Sequence, residues 1–198
     1  MRDETMNPQV MSVLERIERL TDTWEADFNG QKVQLWSIPP ETGRFLNMLV
    51  RATKAKRILE LGSSGGYSTI WLAEGARETQ GHVWATEHFR LKANLARKHY
   101  SQAGLDDYIT LIEDDARRTV QRLPRDWDFV FMDVDKENYV EFFELAFARM
   151  KKGALLCADN AISHAKEMRP YLDFLKRHGE SESALIPIGS GEMLTYKV

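Results

Sequence analysis

The sequence predicts an α/β fold: a mostly parallel sheet with helices on both faces and an antiparallel hairpin at its C-terminal edge. Two patterns predict it. Between residues 57 and 178, short apolar runs alternate with helix-period segments, and repeated strand–helix units build parallel sheets. At the end of the chain, runs at 185–188 and 193–197 flank Gly189-Ser190-Gly191, a turn tight enough to fold one strand back on the other.

The elements follow in order. Asn7-Pro8 has the chemistry of a helix start, a capping amide and then proline at the first helical position. Val10, Val13, Leu14, Ile17, Leu20 and Trp24 continue at helical spacing. Asn29-Gly30 and Pro39-Pro40 interrupt the pattern, and Phe45, Leu46, Leu49, Val50 and Ala52 mark a second amphipathic helix. Strands are then expected at 57–61, 82–87, 108–113, 127–133 and 154–159. Helices are expected between them at 67–76, 91–103, 116–123 and 138–150, with a last one at 166–178. The 198 residues suit one domain, 1–198, in which 1–55 form an N-terminal helical cap.

Composition narrows the function. Hydrophobic residues make up 43% and charged residues 29% of the chain, and the net charge is −3. That balance gives no reason to expect a nucleic-acid partner; the basic clusters at 54–57, 117–118 and 151–152 read as solvated surface. No apolar stretch approaches the roughly 18 residues of a membrane span, and no signal peptide is visible. The single cysteine, Cys157, sits in an apolar strand and reads as a core residue, consistent with a reducing, cytoplasmic setting.

Acids and glycines recur at the expected strand ends, where open α/β sheets bind ligands. Glu60-Leu61-Gly62-Ser63-Ser64-Gly65-Gly66 joins the first strand of this series to its helix. Such a loop lets backbone approach a ligand closely. A dinucleotide loop would place glycine where Ser64 stands, which disfavours a dehydrogenase. Glu87 ends the next strand and either accepts the ribose hydroxyls of a nucleoside or is a surface acid. Asp115, beside Ala116, is either a helix cap or part of the same site. Asp133 and the pair Asp159-Asn160 end the following two strands. Two carboxylates and an amide oxygen form a hard-oxygen set suited to Mg²⁺, Mn²⁺ or Ca²⁺ rather than zinc, unless each Asp merely caps a helix. Lys136 lies three residues past Asp133 and is either a general base or a solvated lysine. His164 lies just past the second acid segment and reads as a loop residue.

Together, the segment 58–67, Glu87, Asp115-Ala116, the stretch 128–139 and Ala158-Asp159-Asn160 resemble the cation-dependent O-methyltransferases. That family includes plant caffeoyl-CoA and animal catechol enzymes and many small bacterial members. The ending Ile186-Pro187-Ile188-Gly189-Ser190-Gly191 resembles the bacterial ones. The resemblance implies a Rossmann-like class I methyltransferase fold with a seven-stranded sheet, and S-adenosylmethionine as donor. Residue by residue, it implies that Glu60, Gly62, Ser63, Gly66, Tyr67 and Ser68 line the methionine end. Glu87 would hold the ribose, and Asp115 with Ala116 would flank the adenine. Asp133, Asp159 and Asn160 would hold a divalent cation, Mg²⁺ first. Asp133 would stand at the edge of both sites, and Lys136 would receive the acceptor's proton. The acceptor would be a small phenolic or catechol-like molecule, and the protein a homodimer. Three positions depart from the family pattern: Asp114 stands where glycine is frequent, Ile162-Ser163-His164 lacks a frequent tryptophan, and Ser190 replaces a frequent acid. The rival readings are a methyltransferase of a hydroxylated RNA base and a nucleoside-binding protein without catalysis.

Overall fold

The computed structural model describes residues 6–22, 26–28 and 30–198. Helix α1 (Pro8–Asp22) starts where the sequence places it. The Asn7 side chain accepts a hydrogen bond from the Gln9 amide at 2.8 Å, and Pro8 takes the first helical position. Its apolar stripe turns inward: Val10, Leu14 and Ile17 are fully buried in the chain's own core. A homodimer would therefore be built from other surfaces. Trp24, the far end of that stripe, lies outside the described residues, as does Asn29. Strands β1 (Ala26–Phe28) and β2 (Gln31–Val33) form a small antiparallel hairpin, with Gly30 at φ 77°. Strands of three residues are too short to show alternation, so the sequence shows only an interruption there. In α2 (Pro40–Thr53), Leu46 and Val50 are buried, whereas Ala52 is exposed.

The main unit comprises β3 (Arg57–Leu61), α3 (Tyr67–Thr79), β4 (His82–Thr86), α4 (Arg90–Ala103), β5 (Ile109–Ile112), α5 (Ala116–Arg122) and β6 (Trp127–Met132). It continues through α6 (Tyr139–Phe147), β7 (Met150–Ala158), α7 (Arg169–Leu175), β8 (Ser181–Ile186) and β9 (Glu192–Lys197). The strands form a seven-stranded sheet in the order β5-β4-β3-β6-β7-β9-β8. The first five are parallel; β9 runs antiparallel to β7, and β8 antiparallel to β9. Alternation along the central strands fills both faces. Ile58, Phe129 and Phe131 join α1–α4 in one apolar layer, and Leu59, Leu61, Val130 and Met132 join the helices of the other. Burial on both sides is what a parallel sheet requires. None of the described helices is long and apolar enough to cross a membrane.

Strands β7 and β8 start well before their sequence pattern, at Met150 and Ser181. Strand β7 begins at Met150, which pairs with Trp127 before a register shift. The polar Lys151-Lys152-Gly153 conceals this start, so the helical pattern overruns α6 by three residues. Strand β8 begins at Ser181, and most of it is exposed on both faces at the sheet edge. An edge strand with little buried surface needs no apolar alternation, which makes Ser181-Glu182-Ser183 silent in sequence.

Neighbours β3 and β6 mark the point where the chain reverses its direction of travel across the sheet. Ligands of open α/β sheets bind at the carboxyl ends of strands beside such a point.

Candidate active site

A cavity of about 910 Å³ opens at this point. Gly62, Glu87, Asp115, Ala116, Asp133, Lys136, Asp159 and Asn160 all line it. Glu60, Ser63, Gly66, Tyr67 and Ser68 are not among the residues that line it. The reasons are local. Tyr67 donates its hydroxyl to Glu18 Oε1 of α1 at 2.6 Å. A side chain on Gly66 would meet the Tyr100 ring, 2.5 Å from its nearest atom. Ser68 donates to Glu60 Oε1 at 2.5 Å, and Thr69 donates to the other oxygen of Glu60.

Glu60 is completely buried, and burial lifts its carboxyl to about pH 7 despite those two hydroxyl donors. The raised value means that the folded state holds the proton more tightly than the unfolded chain. The resulting stabilisation is complete below about pH 4.5 and is lost as the pH rises through about 7. Glu60→Gln, which carries no titrating proton, should therefore gain on the wild type by about 3 kcal/mol between pH 4.5 and pH 8. Urea denaturation of both proteins at the two pH values checks this; parallel losses would remove Glu60 as the source.

The loop after β3 is held from both sides. The Ser63 amide donates to Thr86 O at 2.9 Å, and His99 Nδ1 lies 2.8 Å from Gly65 O. Gly62 and Gly66 both have φ 88°, and Ser64 has φ 46°. Glu87 is buried at the tip of β4. One of its oxygens accepts the Ser64 amide at 2.9 Å, and the other accepts the Phe89 amide at 2.7 Å. Asp115 caps α5 by accepting from the Arg117 amide at 2.7 Å while it lines the cavity. Cap and site residue are one and the same here.

On the other side of the switch, Asp133 Oδ1 accepts from Asn160 Nδ2 at 2.9 Å and from Lys136 Nζ at 3.2 Å. Lys136 also donates to Val134 O at 3.2 Å. Asp159 is buried and accepts the Asn160 amide at 2.6 Å. Burial, and then the charge of Asp133, raise the Asp159 carboxyl above its ordinary range. Asn160 is held at φ 74°, with its side-chain oxygen turned to Ser163 Oγ at 3.3 Å. Among the described residues, no three His, Cys, Asp or Glu side chains group as a metal cage. The set here is two mutually repelling carboxylates and one amide, hard oxygen donors whose repulsion a divalent cation would relieve. It fits such an ion once the amide oxygen of Asn160 replaces its NH₂ group toward Asp133.

The family model described as O-methyltransferase matches residues 12–179. The chain belongs to the O-methyltransferase family. It is 38% identical to a catechol O-methyltransferase of Mycobacterium tuberculosis over 127 residues, covering 64% of this chain and 57% of that protein. It is 35% identical to a catechol O-methyltransferase of Niastella koreensis over 134 residues, covering 66% and 60%. The aligned parts thus span less than two thirds of either relative. Among solved structures, a cofactor-bound protein from MTB superposes with a TM-score of 0.82 at 28% identity, covering 96% of this chain and 90% of that one.

Three residues of this O-methyltransferase family member enter the site without a sequence signal read in advance. Glu192, at the start of β9, is fully buried. It accepts from Cys157 Sγ at 3.2 Å and hydrogen-bonds Asp159. Burial, and then Asp159, push its carboxyl well above the ordinary range, so Glu192 keeps the proton shared by the pair. An acid thus reaches the carboxylate set from the C-terminal hairpin, two positions after Ser190. The second and third are Trp36 and Lys92, which meet at the cavity rim. Lys92 Nζ lies 4.1 Å from the centroid of the Trp36 ring and 5.6 Å from that of Phe89. Burial lowers the pKa of Lys92, opposed by the charges of Glu87, Asp133 and Asp135. Trp36 and Phe89 supply aromatic surface in a chain that lacks a tryptophan after Asp159-Asn160.

Proposed function

We propose that this chain transfers a methyl group from S-adenosylmethionine to a hydroxyl of a small phenolic or catechol-like acceptor, assisted by a divalent cation. One observation carries the reading: a single cavity joins the glycine loop and Glu87 to Asp133, Asp159, Asn160 and Lys136 across the β3/β6 switch. Family membership supports the donor; the hard-oxygen set supports the cation.

When bound, S-adenosylmethionine supplies an electrophilic methyl group on a sulfonium, and a divalent cation supplies positive charge that favours an ionised hydroxyl. The protein does the positioning, which dominates an in-line displacement. Glu87, fixed by two backbone amides, accepts the ribose hydroxyls. Asp133, Asp159 and Asn160 would hold the cation, with Glu192 and Tyr139 steadying the Asp159 segment; the Tyr139 hydroxyl donates to Asp159 O at 3.1 Å. As the neutral amine, Lys136 Nζ would receive the hydroxyl proton. As the new carbon–oxygen bond forms, the carbon–sulfur bond breaks, leaving a neutral thioether.

A methyl-transfer screen over catechols, acyl-CoA phenols and hydroxylated RNA bases, with Mg²⁺ or with excess EDTA, tests this reading. Turnover of a catechol with Mg²⁺ that stops in EDTA is expected; full activity in EDTA from metal-free protein would remove the cation from the mechanism. RNA is the weaker candidate because the cavity's Arg117 and Arg118 are paired with Glu141 and Asp114. For the donor, Glu87→Ala should weaken binding by roughly 1–3 kcal/mol, since two ligand hydroxyls lose their acceptor. Unchanged donor affinity by calorimetry in the folded variant would rule out the ribose role.

A further inference from the structure

The basic side chains of the cavity fall into two groups. Arg117 reaches Glu141 at 2.9 Å, Arg118 reaches Asp114, and Lys136 reaches Asp133 at 3.2 Å. Each is matched by an acid in contact. Lys92 is not: among the described residues, its ammonium makes no hydrogen bond or ion pair with any side chain, and its contacts are the faces of Trp36 and Phe89. It is also partly withdrawn from solvent. A half-buried ammonium lying on aromatic faces, with no acid in contact among the described residues, keeps its donors available to an incoming ligand.

The surroundings show which ligand. Lys92 lines the cavity from α4, and the acids whose charge acts on it are first Glu87 at the donor end and then Asp133 and Asp135 of the segment after β6. Lys92 thus stands between the two ends of the cavity. Trp36 is 59% exposed at the rim, although its backbone sits at φ 45°, a conformation unfavourable for a bulky residue. The chain holds an exposed indole against Lys92 at a conformational cost, which is a mark of a functional position.

We propose that Lys92 is an acceptor-recognition residue, and that the acceptor carries a carboxylate on or beside its hydroxylated ring. The inference rests on the methyltransferase reading and specifies its substrate class. The carboxylate binds the Lys92 ammonium, and the ring enters between the rim aromatics and the carboxylate set. Lys92 takes no part in the displacement itself; it selects and aligns.

The test compares 3,4-dihydroxybenzoate with catechol, which share the vicinal hydroxyls and differ in the carboxylate. With Mg²⁺ and donor present, the wild type should favour the acid in kcat/KM. In Lys92→Gln the acid-over-catechol ratio should fall about 10–100-fold, as loss of a charge-assisted hydrogen bond implies, and Lys92→Arg should restore part of it. Calorimetry of 3,4-dihydroxybenzoate binding, run in parallel, needs no turnover. Binding weakened by Lys92→Gln supports the proposal even if neither compound is methylated, an outcome that would count against the methyltransferase reading alone. The proposal is overturned if the ratio is unmoved, if the wild type fails to bind the acid, or if Lys92→Gln instead weakens donor binding. In that last case the carboxylate recognised is the donor's own.

Discussion

Asp159→Ala is expected to abolish cation-stimulated turnover while S-adenosylmethionine still binds nearly as tightly as to the wild type. The asymmetry follows from where the residues sit. The donor contacts come from the ends of β3, β4 and β5, whereas Asp159 ends β7 on the other side of the switch. Removing its carboxylate takes one of two acids from the hard-oxygen set and leaves Glu192 without its partner. Lys136→Ala should lower turnover by about 10²–10⁴-fold if its amine receives the proton. The loss should shrink for a more acidic phenol, which needs less help to ionise. Single-turnover rates across a series of phenols, set beside calorimetric donor affinities, check both parts. An equal loss for every phenol would reduce Lys136 to a partner of Asp133, and a collapse of donor binding in Asp159→Ala would show that the two ends of the cavity are not separable.

Gly62→Ala should be the most damaging conservative change in the donor loop. A Cβ there would lie 2.0 Å from the carbonyl oxygen of Asp133, and Gly62 sits at φ 88°. Neither problem has an easy escape, because the obstacle is backbone at the end of β6. The left-handed conformation costs about 1–2 kcal/mol for alanine, and overpacking adds about 1–3 kcal/mol, giving about 2–5 kcal/mol in all. Gly153→Ala provides the control. Gly153 has φ 81°, but a Cβ there meets nothing nearer than Tyr196 Oη at 3.7 Å, so only the conformational cost applies. Urea midpoints of the two variants should separate accordingly; equal midpoints would mean that the loop yields without strain.

The parts of the molecule legible in the sequence share a physical reason. Central strands are buried on both faces and read as unbroken apolar runs, so the acids that end them are easy to locate. Glu87 and Asp115, and separately Asp133, Asp159 and Asn160, are therefore legible as strand-end groups, and the family resemblance joins the two groups into one site. The other residues depend on packing that no local pattern encodes. Glu60 follows the same strand pattern as its neighbours, yet its carboxyl is folded back onto Ser68 and Thr69, away from the cavity. Lys92 lies in the first turn of a polar helix, and its contact with Trp36, from a segment before the sheet begins, has no local sequence signal. Glu192 opens a strand beside a glycine turn, where an acid ordinarily faces water; burial against Cys157 and Asp159 becomes visible only once β9 is paired with β7.

The direct pairing of β3 with β6, from Ile58↔Phe129 to Leu61↔Met132, bears on timing. Hydrogen-bonded strands lie about 4.8 Å apart and cannot slide past one another. The groups that would hold the donor and those that would hold the acceptor are therefore set at their mutual distance during folding, before either ligand arrives. Ordering that a flexible two-lobed catalyst must repeat in every cycle is completed here once per lifetime of the folded chain.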